Sequence, residues 1–578
     1  MSIDSVSTTG IEGSPVALRP TIQGTQNVVS TGHYLASQAA FEVLQAGGNA
    51  IDAGVAAGLV IGVVQSEFVN IAGVAPIMIY LAERGEVVTI SGLGVWPRAA
   101  TLEYFMEEHA GSIPEGVMRT VVPAAPDAWI TALERFGTMS FADVASAAIG
   151  FARDGFVMYP IMSELIGAFQ DGYARWPSNS AIYLPNGTPP KVGELFVQAD
   201  LGRTLQFMAD EECRAAKGGR EAGLRAARDA FYRGDIAAAI VDFQRAEGGW
   251  LTRDDMAAFH VEVEEPVRYR YRGMDVYSCQ SWCQGPVLLQ MLAILEGVDL
   301  GALEHNSPAY AHVLVEAMKL AFADREQHFA DPRHRDVPLA RLLSRDHANG
   351  HRARIEGTRA IPHDELWANA NAQQSASGSA QKLPALDTSY LAVVDGHGNA
   401  FSATPSDVSY DTPVVPGTGL CPSSRGAQSW AVPGHPCAVA PGTRPRLTPN
   451  PAIAIDDDQI FAFGTPGGDV QCQAMLQVFL NHRQWGMDLQ QAIEAPRFAT
   501  FSFPDSFEPH TLLPDRVMIE DRLGDEVVEG LGVRGHDVER WPAFTWRAGG
   551  VCAALLDRQT GIRSAAADPR RPCYALGR

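Results

Sequence analysis

The sequence predicts a mixed α+β fold, and three observations lead to that prediction. Several long stretches of the first half follow the helical period, with only short strand patterns between them. From Thr388 onward, short apolar runs alternate with turn residues, a pattern typical of β-strands. A segment rich in Ala, Ser, Gln and Asn, residues 367–386, separates the two halves. Length alone, 578 residues, would suggest three or four domains.

The first half opens with two helices and a hairpin. The stretch "LASQAAFEVLQAGGNAIDAGVAAGLVIGVV" predicts an amphipathic helix that breaks at Gly47 and Gly48, then a buried helix that starts at Asn49. "IMIYLAERGEVVTISGLG", from Ile77, is typical of a hairpin. Further helices are predicted over "AAPDAWITALERFG", "FADVASAAIGFARDG", "PVLLQMLAILEGVDL" and "PAYAHVLVEAMKLAFADREQHFA".

The second half is predicted to be mostly strands. "TSYLAVVD", closed by the turn "DGHGN", indicates a strand whose first residue is Thr388. "AFSAT", "PAIAIDDDQIFAFGTPGGD" and "VCAALLD" give further strands, and a single helix is expected over Gln471–Leu480.

Composition and charge exclude several classes of protein. A formal net charge of −22 argues against binding to nucleic acid or to an anionic membrane surface. The longest apolar run, Ala53–Val64, is too short to span a bilayer, and the N-terminus has no secretory signal pattern. Eight cysteines are too few for a disulfide framework, and Cys279 and Cys283 lack a second pair for zinc. We therefore expect a cytoplasmic protein without a cofactor.

Thr388 raises a chemical question, because a Thr hydroxyl is a poor nucleophile unless a base lies beside it. A Thr at a chain N-terminus carries that base in its own α-amine. Such chemistry requires cleavage between Asp387 and Thr388, with the soft segment 367–386 as a flexible leader to the cleavage site. The alternative is that Thr388 simply begins a strand, where β-branched residues are common.

The stretch "FGTPGGD" places Gly467 and Gly468 between a predicted strand and a predicted helix. Successive backbone N–H groups at a helix N-terminus form an anion-binding nest, which can stabilise the oxyanion of a tetrahedral intermediate. A phosphate site would look similar, but no Lys follows the glycines as in a P-loop.

Taken together, these stretches resemble the γ-glutamyltransferase family of N-terminal-nucleophile hydrolases. The matching pieces include "EAMKLAFADREQHFADPRHRDVP", "DTSYLAVVDGHGNAFSAT", "APGTRPRLTPNPAIAI", "FGTPGGD" and "AADPRR", and they run in family order from about residue 25 to the C-terminus. The resemblance implies a four-layer αββα sandwich made from one self-cleaved chain. Residues 1–387 would form the large subunit and residues 388–578 the small one, as a heterodimer; a dimer of such heterodimers stays open.

The resemblance also implies roles for particular residues. The nucleophile falls on Thr388, the hydroxyl that orients it on Ser406, and the oxyanion donors on Gly467 and Gly468. The substrate pocket departs from the family pattern. The positions that bind the carboxylate and amino group of a γ-glutamyl substrate are held here by Leu102, Gln428, Leu447 and Thr448.

A charged zwitterion cannot be bound by such a set, because burying its charges unpaired is unfavourable by several kcal/mol. Arg98, Arg425 and Arg446 lie near these positions and could bind another acid group instead. We therefore expect an amidohydrolase or acyltransferase for the amide of a small acid without the glutamyl amino group, such as an oxamate-like half-amide or an acylase-type substrate.

Three alternatives stay open. One is a genuine γ-glutamyltransferase or glutathione hydrolase, and another is an uncleaved, non-catalytic binding homologue. A metal hydrolase is disfavoured, because no HExxH motif is present and we expect no catalytic metal. The residues that could nevertheless form such a metal site are His328, His334, His351, His363, Asp324 and Asp331.

Overall fold

The structure is a computed structural model that describes residues 17–367 and 388–578. The soft leader after Trp367 and the cleavage-site residue Asp387 lie outside the described residues.

The helices of the described residues are α1 (Tyr34–Gln45), α2 (Ala50–Val64), α3 (Leu102–Glu108), α4 (Ala125–Phe136), α5 (Phe141–Asp154), α6 (Pro160–Ala168), α7 (Gln170–Ala174), α8 (Pro177–Tyr183), α9 (Ala199–Ala215), α10 (Arg220–Tyr232), α11 (Asp235–Ala246), α12 (Arg253–Ala258), α13 (Gly285–Glu296), α14 (Pro308–His328), α15 (Leu339–Leu342), α16 (Arg345–Arg352), α17 (His363–Trp367), α18 (Val470–Arg483), α19 (Leu489–Glu494) and α20 (Gly524–Val533).

The strands are β1 (Ile22–Gly24), β2 (Val28–Thr31), β3 (Ile77–Leu81), β4 (Glu86–Ile90), β5 (Phe156–Val157), β6 (Leu195–Phe196), β7 (Val263–Glu264), β8 (Val267–Tyr271), β9 (Met274–Ser278), β10 (Leu391–Val394), β11 (Ala400–Ala403), β12 (Ala452–Ile455), β13 (Gln459–Gly464), β14 (Phe498–Thr500), β15 (Arg516–Glu520), β16 (Asp537–Trp541), β17 (Cys552–Asp557), β18 (Arg563–Ala567) and β19 (Tyr574–Gly577).

Two seven-stranded antiparallel sheets dominate the described structure. The first has the strand order β1-β18-β17-β13-β12-β9-β8, and the second has the order β19-β2-β10-β11-β3-β4-β7. Each sheet mixes strands from both sides of residue 387. In the second sheet, β10 pairs with β2, and β11 pairs with β3, so the strands that follow Thr388 sit between strands from the first half. Neither half forms either of these two seven-stranded sheets alone.

Alternation along the strands of the two large sheets places their apolar side chains in three main buried clusters. Ala392 and Val394 of β10 join Ala462 of β13 in a buried cluster that both sheets share. Leu391 and Val393, on the opposite face of β10, join a cluster with α1, α2, α4 and α5. Alternate residues of β12, β13 and β17 join a third cluster with α13, α14 and α18. Each sheet is therefore buried on both faces, as its nearly continuous apolar strands require.

Local chemistry explains the break between the first two helices. The Asn49 side chain accepts hydrogen bonds from the N–H groups of Ile51 and Asp52, and Asp52 in turn accepts from the Asn49 N–H. This capping box starts α2 one residue after the cap. Gly54 lets α2 lie close to the sheet, because a Cβ there would come within 2.2 Å of the Phe401 ring. The predicted break and the buried second helix are both confirmed.

Most of the predicted elements are present with small shifts at their ends. The hairpin at Ile77, the four later helices of the first half and the strands of the second half are confirmed. Two predictions are wrong. The strand begins at Leu391 rather than Thr388, and the single helix expected in the second half is followed by α19 and α20. No helix in the described ranges is both long and apolar enough to cross a membrane.

Candidate active site

Thr388 and Ser406 are in direct contact. Their backbones form an isolated antiparallel bridge, and their side-chain oxygens, Oγ1 and Oγ, lie 2.8 Å apart. Both residues are buried, with Thr388 only 1% exposed. The chain after Thr388 is also fixed, because the Ser389 N–H donates to the Pro405 carbonyl at 3.0 Å. The predicted nucleophile and the predicted orienting hydroxyl therefore meet.

An ion pair lies directly behind Ser406. Arg425 Nε donates to Asp407 Oδ1 at 2.9 Å, and an Nη2 group of the same guanidinium donates to Ser406 Oγ. Ser423 Oγ donates to the other Asp407 oxygen at 2.7 Å. Burial raises the pKa of Asp407 above its ordinary value, although the Arg425 charge and these hydrogen bonds oppose the rise.

Asp407 also has an unusual backbone. Its φ is 124°, a region that residues with a Cβ rarely adopt. Its N–H donates to the Phe68 carbonyl at 3.1 Å, and its carbonyl accepts from the Asn70 side chain at 2.7 Å. Strain of this kind is worth roughly 1–3 kcal/mol and clusters at functional sites. Sequence reasoning missed Asp407, whose one signal is its place directly after Ser406.

Hydrogen bonds continue from Arg425 towards the glycine pair. Arg425 Nη1 lies 3.4 Å from Gln428 Oε1, and Gln428 Nε2 donates to Thr448 Oγ1 at 3.0 Å. Gln284 Nε2 then bridges two carbonyl oxygens, that of Thr448 at 3.1 Å and that of Gly468 at 3.0 Å. A continuous chain of hydrogen bonds thus links Thr388 to Gly468. Gln284 carries no signal that sequence reasoning could have used.

Gly467 and Gly468 form the turn into α18, as predicted. Their φ values are 127° and 56°, both in the region that favours glycine. Within the described part of the chain, neither N–H donates to another group. Two adjacent donors at the start of a long helix have the character of an oxyanion nest.

A buried arginine holds the residue that follows the glycines. Arg325, on α14, donates to the Asp469 carboxylate and to Ser506 Oγ, the latter at 2.9 Å. Asp469 also accepts from the Ser506 N–H at 2.8 Å. This network fixes the N-terminus of α18 from outside the sheet. Arg325 is one of several charged residues of α14, among them Glu316 and Lys319, and no spacing in the sequence links it to Asp469.

Comparison with known proteins decides the family. The model of the family described as Gamma-glutamyltranspeptidase matches residues 36–577. The chain belongs to this family. Among curated relatives, the Acylase ACY 1 proenzyme of Pseudomonas sp. (strain SE83) is 34% identical, covering 94% of this chain and 92% of its own. The oxamate amidohydrolase proenzyme of Klebsiella pneumoniae is 29% identical over 94% of this chain and 97% of its own.

Glutathione hydrolases are also among the relatives, and the proenzyme of Bacillus subtilis (strain 168) is 28% identical over 96% of this chain and 92% of its own. Two solved structures share the fold. One, of LmbA2991HD, has a TM-score of 0.90 at 37% identity and covers 97% of this chain and all of that one. The other is a cephalosporin acylase from Bacillus halodurans, with a TM-score of 0.84, 27% identity and coverage of 98% and 99%. The fold is that of the N-terminal-nucleophile hydrolases in this family.

The four positions that the resemblance assigns to the substrate pocket fall into two environments. Gln428 and Thr448 lie in the hydrogen-bonded chain beside Arg425, and both are buried. Leu447 packs in a small apolar cluster with Trp282, and Leu102 packs at the edge of another with Trp96. None of these four side chains carries a charge.

The three candidate arginines differ in their partners. Arg425 touches Ser406, whereas Arg446 donates to Glu326 and to the Arg325 carbonyl, the latter at 3.1 Å. The Arg98 side chain is 69% exposed and 3.9 Å from Asp255, at the rim of a cavity of about 410 Å³. Arg98 lies before α3, which begins at Leu102.

The residues that the sequence suggested for a metal site do not all lie together in the structure. Asp331 accepts hydrogen bonds from Arg333 and Arg444, so arginines surround its carboxylate. Asp324 instead meets His351 and also His347, which sequence reasoning missed. None of these residues belongs to the hydrogen-bonded chain from Thr388 to Gly468.

Proposed function

We propose that the chain is a self-processing amidohydrolase with Thr388 as its N-terminal nucleophile. The observation that carries this proposal is the 2.8 Å contact between Thr388 Oγ1 and Ser406 Oγ, beside the buried Arg425–Asp407 ion pair. A hydroxyl held by a second hydroxyl, which itself accepts from a cation, is positioned to act as a nucleophile. The family and the proenzyme names of the relatives support the same reading.

The first step is processing of the chain. Thr388 Oγ1 attacks the carbonyl carbon of Asp387, the bond from that carbon to the Thr388 nitrogen breaks, and an ester to Oγ1 forms. The proton of Oγ1 passes to that nitrogen, so the Thr388 amine is already free in the ester. Water then hydrolyses the ester to give the α-carboxylate of Asp387 and the free Thr388 hydroxyl. The products, residues 1–387 and 388–578, stay together as a heterodimer because β10 and β11 lie between β2 and β3. Together they form the four-layer αββα sandwich.

The second step is amide hydrolysis. The free amine of Thr388 takes the proton from its own hydroxyl as Oγ1 attacks the substrate carbonyl. The N–H groups of Gly467 and Gly468 stabilise the oxyanion, each such donor typically contributing a factor of about 10² to 10³ in kcat. The amine leaves with a proton, and water releases the acid from the acyl-enzyme. An amine in place of water gives acyl transfer.

The substrate is the amide of a small acid other than a γ-glutamyl group. Where family members bind a zwitterion, this chain offers Leu102, Gln428, Leu447 and Thr448, none of them charged. Arg425, whose charge is paired with Asp407, places guanidinium N–H groups beside Ser406, and such groups suit one carboxylate. The names of two relatives, an acylase and an oxamate amidohydrolase, favour the same substrate class.

A substrate panel tests this assignment. Purified protein is assayed with oxamate-type half-amides, glutaryl amides, aliphatic acyl amides and a γ-glutamyl anilide. We expect the γ-glutamyl anilide to be roughly two to four decades poorer in kcat/KM than the best of the panel, because two charge-assisted contacts are absent. Comparable rates would make the protein a γ-glutamyl hydrolase. An uncleaved chain without activity on any of them would make it a binding homologue.

A further inference from the structure

Two histidines and an aspartate converge away from the Thr388 cluster. His347 and His351 lie one turn apart on α16, so their side chains leave the same face of that helix. Nε2 of His347 is 2.6 Å from Asp324 Oδ2, and Nε2 of His351 is 2.8 Å from the same oxygen. Asp324 belongs to α14. Three potential ligand atoms from two helices thus meet at one point.

A neighbouring side chain holds the Asp324 carboxylate in place, as is common for carboxylates that bind metal ions. Gln290 of α13 is buried and donates to Asp324 Oδ2 at 2.6 Å. The three side chains are nearly but not fully enclosed, with exposed fractions of 17% for His347, 11% for His351 and 8% for Asp324. Metal-binding carboxylates are commonly held by such outer hydrogen bonds, and a partly open site leaves room for water as a further ligand.

We propose that His347, His351 and Asp324 bind a divalent transition-metal ion, with Zn²⁺ as the best fit. Two imidazole nitrogens, one carboxylate oxygen and one water make a four-coordinate set that zinc accepts. Zinc bonds of about 2.0–2.2 Å need ligand atoms about 3.3 Å apart. The two nitrogen–oxygen distances, 2.6 and 2.8 Å, must therefore lengthen by only about 0.5–0.7 Å. The ion replaces the Nε2 protons that now point at the carboxylate.

A second cluster provides an internal comparison. Within the described residues, His312, Glu316 and His536 also place three ligand atoms within 4.8 Å. There, however, the Lys319 ammonium donates to Glu316 at 2.9 Å, and both side chains of that pair are fully buried. A cation already neutralises this carboxylate, and no side is open to water. The Asp324 cluster is therefore the site that can accept an ion.

The inferred ion has a structural rather than a chemical role. None of its three ligands takes part in the proposed amide hydrolysis. It would tie α16 to α14, the helix that also carries Arg325 to the Asp469 carboxylate. Activity of the enzyme is therefore not the readout.

The test is metal binding by the full protein, purified without a histidine tag. Zn²⁺ is titrated by calorimetry, and Co²⁺ is titrated by visible absorption, which reports a four-coordinate site. We expect one ion per chain. His347→Asn and His351→Asn should each weaken binding by more than 100-fold, and Gln290→Leu by roughly 10- to 100-fold, as for loss of an outer hydrogen-bond partner.

Two control variants leave the site intact. His334→Asn removes an exposed histidine, and His536→Asn disrupts the second cluster, so both should bind Zn²⁺ like the wild type. Unfolding midpoints without metal show whether each variant folds. Absence of saturable binding to the wild type overturns the proposal, as does unchanged binding in both α16 variants or loss of binding in His536→Asn alone. If an α16 variant does not fold, Gln290→Leu and the wild-type Co²⁺ spectrum still decide.

Discussion

Removing the Ser406 hydroxyl should slow both chain processing and turnover. Ser406→Ala deletes the oxygen that lies 2.8 Å from Thr388 Oγ1 and that accepts a hydrogen bond from Arg425. Thr388 then loses the group that orients its hydroxyl, and a buried guanidinium N–H loses its acceptor. The Arg425–Asp407 ion pair is retained, so no charge is left without a partner.

The size of the effect follows from the bonds lost. A hydrogen bond between neutral groups contributes about 0.5–1.5 kcal/mol, and one to a charged group about 1.5–3 kcal/mol. If Ser406→Ala destabilises the transition state by the value of a hydrogen bond to a charged group, kcat/KM falls by about 10- to 150-fold. Cleavage before Thr388 should slow by a similar factor, because the same oxygen attacks in both steps.

The assay follows band conversion on denaturing gels and then steady-state kinetics of the processed protein. Ser402→Ala is the matched control. Its hydroxyl is equally buried and also makes two hydrogen bonds, to Tyr390 at 2.6 Å and to the Ala452 carbonyl at 3.2 Å, but it does not touch Thr388. Ser406→Ala with both rates within twofold of the wild type, or a Ser402→Ala loss of equal size, would refute the reasoning.

Two further predictions concern the pocket and the pH dependence of stability. Leu102→Arg combined with Gln428→Asp should favour a γ-glutamyl anilide over the best other amide. The ratio of their kcat/KM values should rise by at least roughly 10- to 150-fold, the value of one of the two charge-assisted contacts that the variant introduces. His33 is buried, and burial lowers its pKa to about 3. His33 takes up a proton near pH 6.5 in the unfolded chain but not in the folded chain. The contribution of His33 to stability is therefore present above pH 6.5 and is lost as the pH falls. Between pH 7 and pH 5, the free energy of unfolding of the wild type should fall by about 2 kcal/mol more than that of His33→Asn.

Both predictions have simple controls. Leu102→Met keeps the pocket apolar and should leave the substrate ratio unchanged, whereas a double variant with an unchanged ratio would show that these positions do not contact the acyl group. Asn at position 33 can still cap α1, as His33 does by accepting from Leu35 N–H. Urea unfolding at pH 7 and pH 5 gives the change in the free energy of unfolding for each protein. Equal changes in the wild type and in His33→Asn would contradict the role given to His33.

Much of the fold could be predicted because local signals agree with it. The Asn49 cap, the glycine break before it and the apolar run after it all point to the same helix boundary. The arrangement of strands could not be predicted from periodicity, because β10 pairs with β2 across more than three hundred residues of chain. The start of β10 was misplaced, because β-branched Thr388 looks like a strand residue although its bridge to Ser406 is isolated.

The candidate site was predictable in part for a similar reason. Thr388, Ser406 and the glycine pair lie in stretches that the family shares, so resemblance located them. Asp407 and Gln284 make their contacts only in the folded chain. Neither residue belongs to a sequence pattern that would predict those contacts. His347 was overlooked because its partner Asp324 lies on another helix, with no spacing in the sequence that links the two.

The most direct test of the account is the N-terminal sequence of the purified protein's smaller chain. Self-cleavage predicts two bands on a denaturing gel, the smaller beginning with Thr388-Ser389-Tyr390, and a Thr388→Ala variant that folds but stays as one chain. A wild-type protein that remains a single full-length band while hydrolysing amides, or a smaller chain that begins at another residue, would contradict Thr388 as the nucleophile.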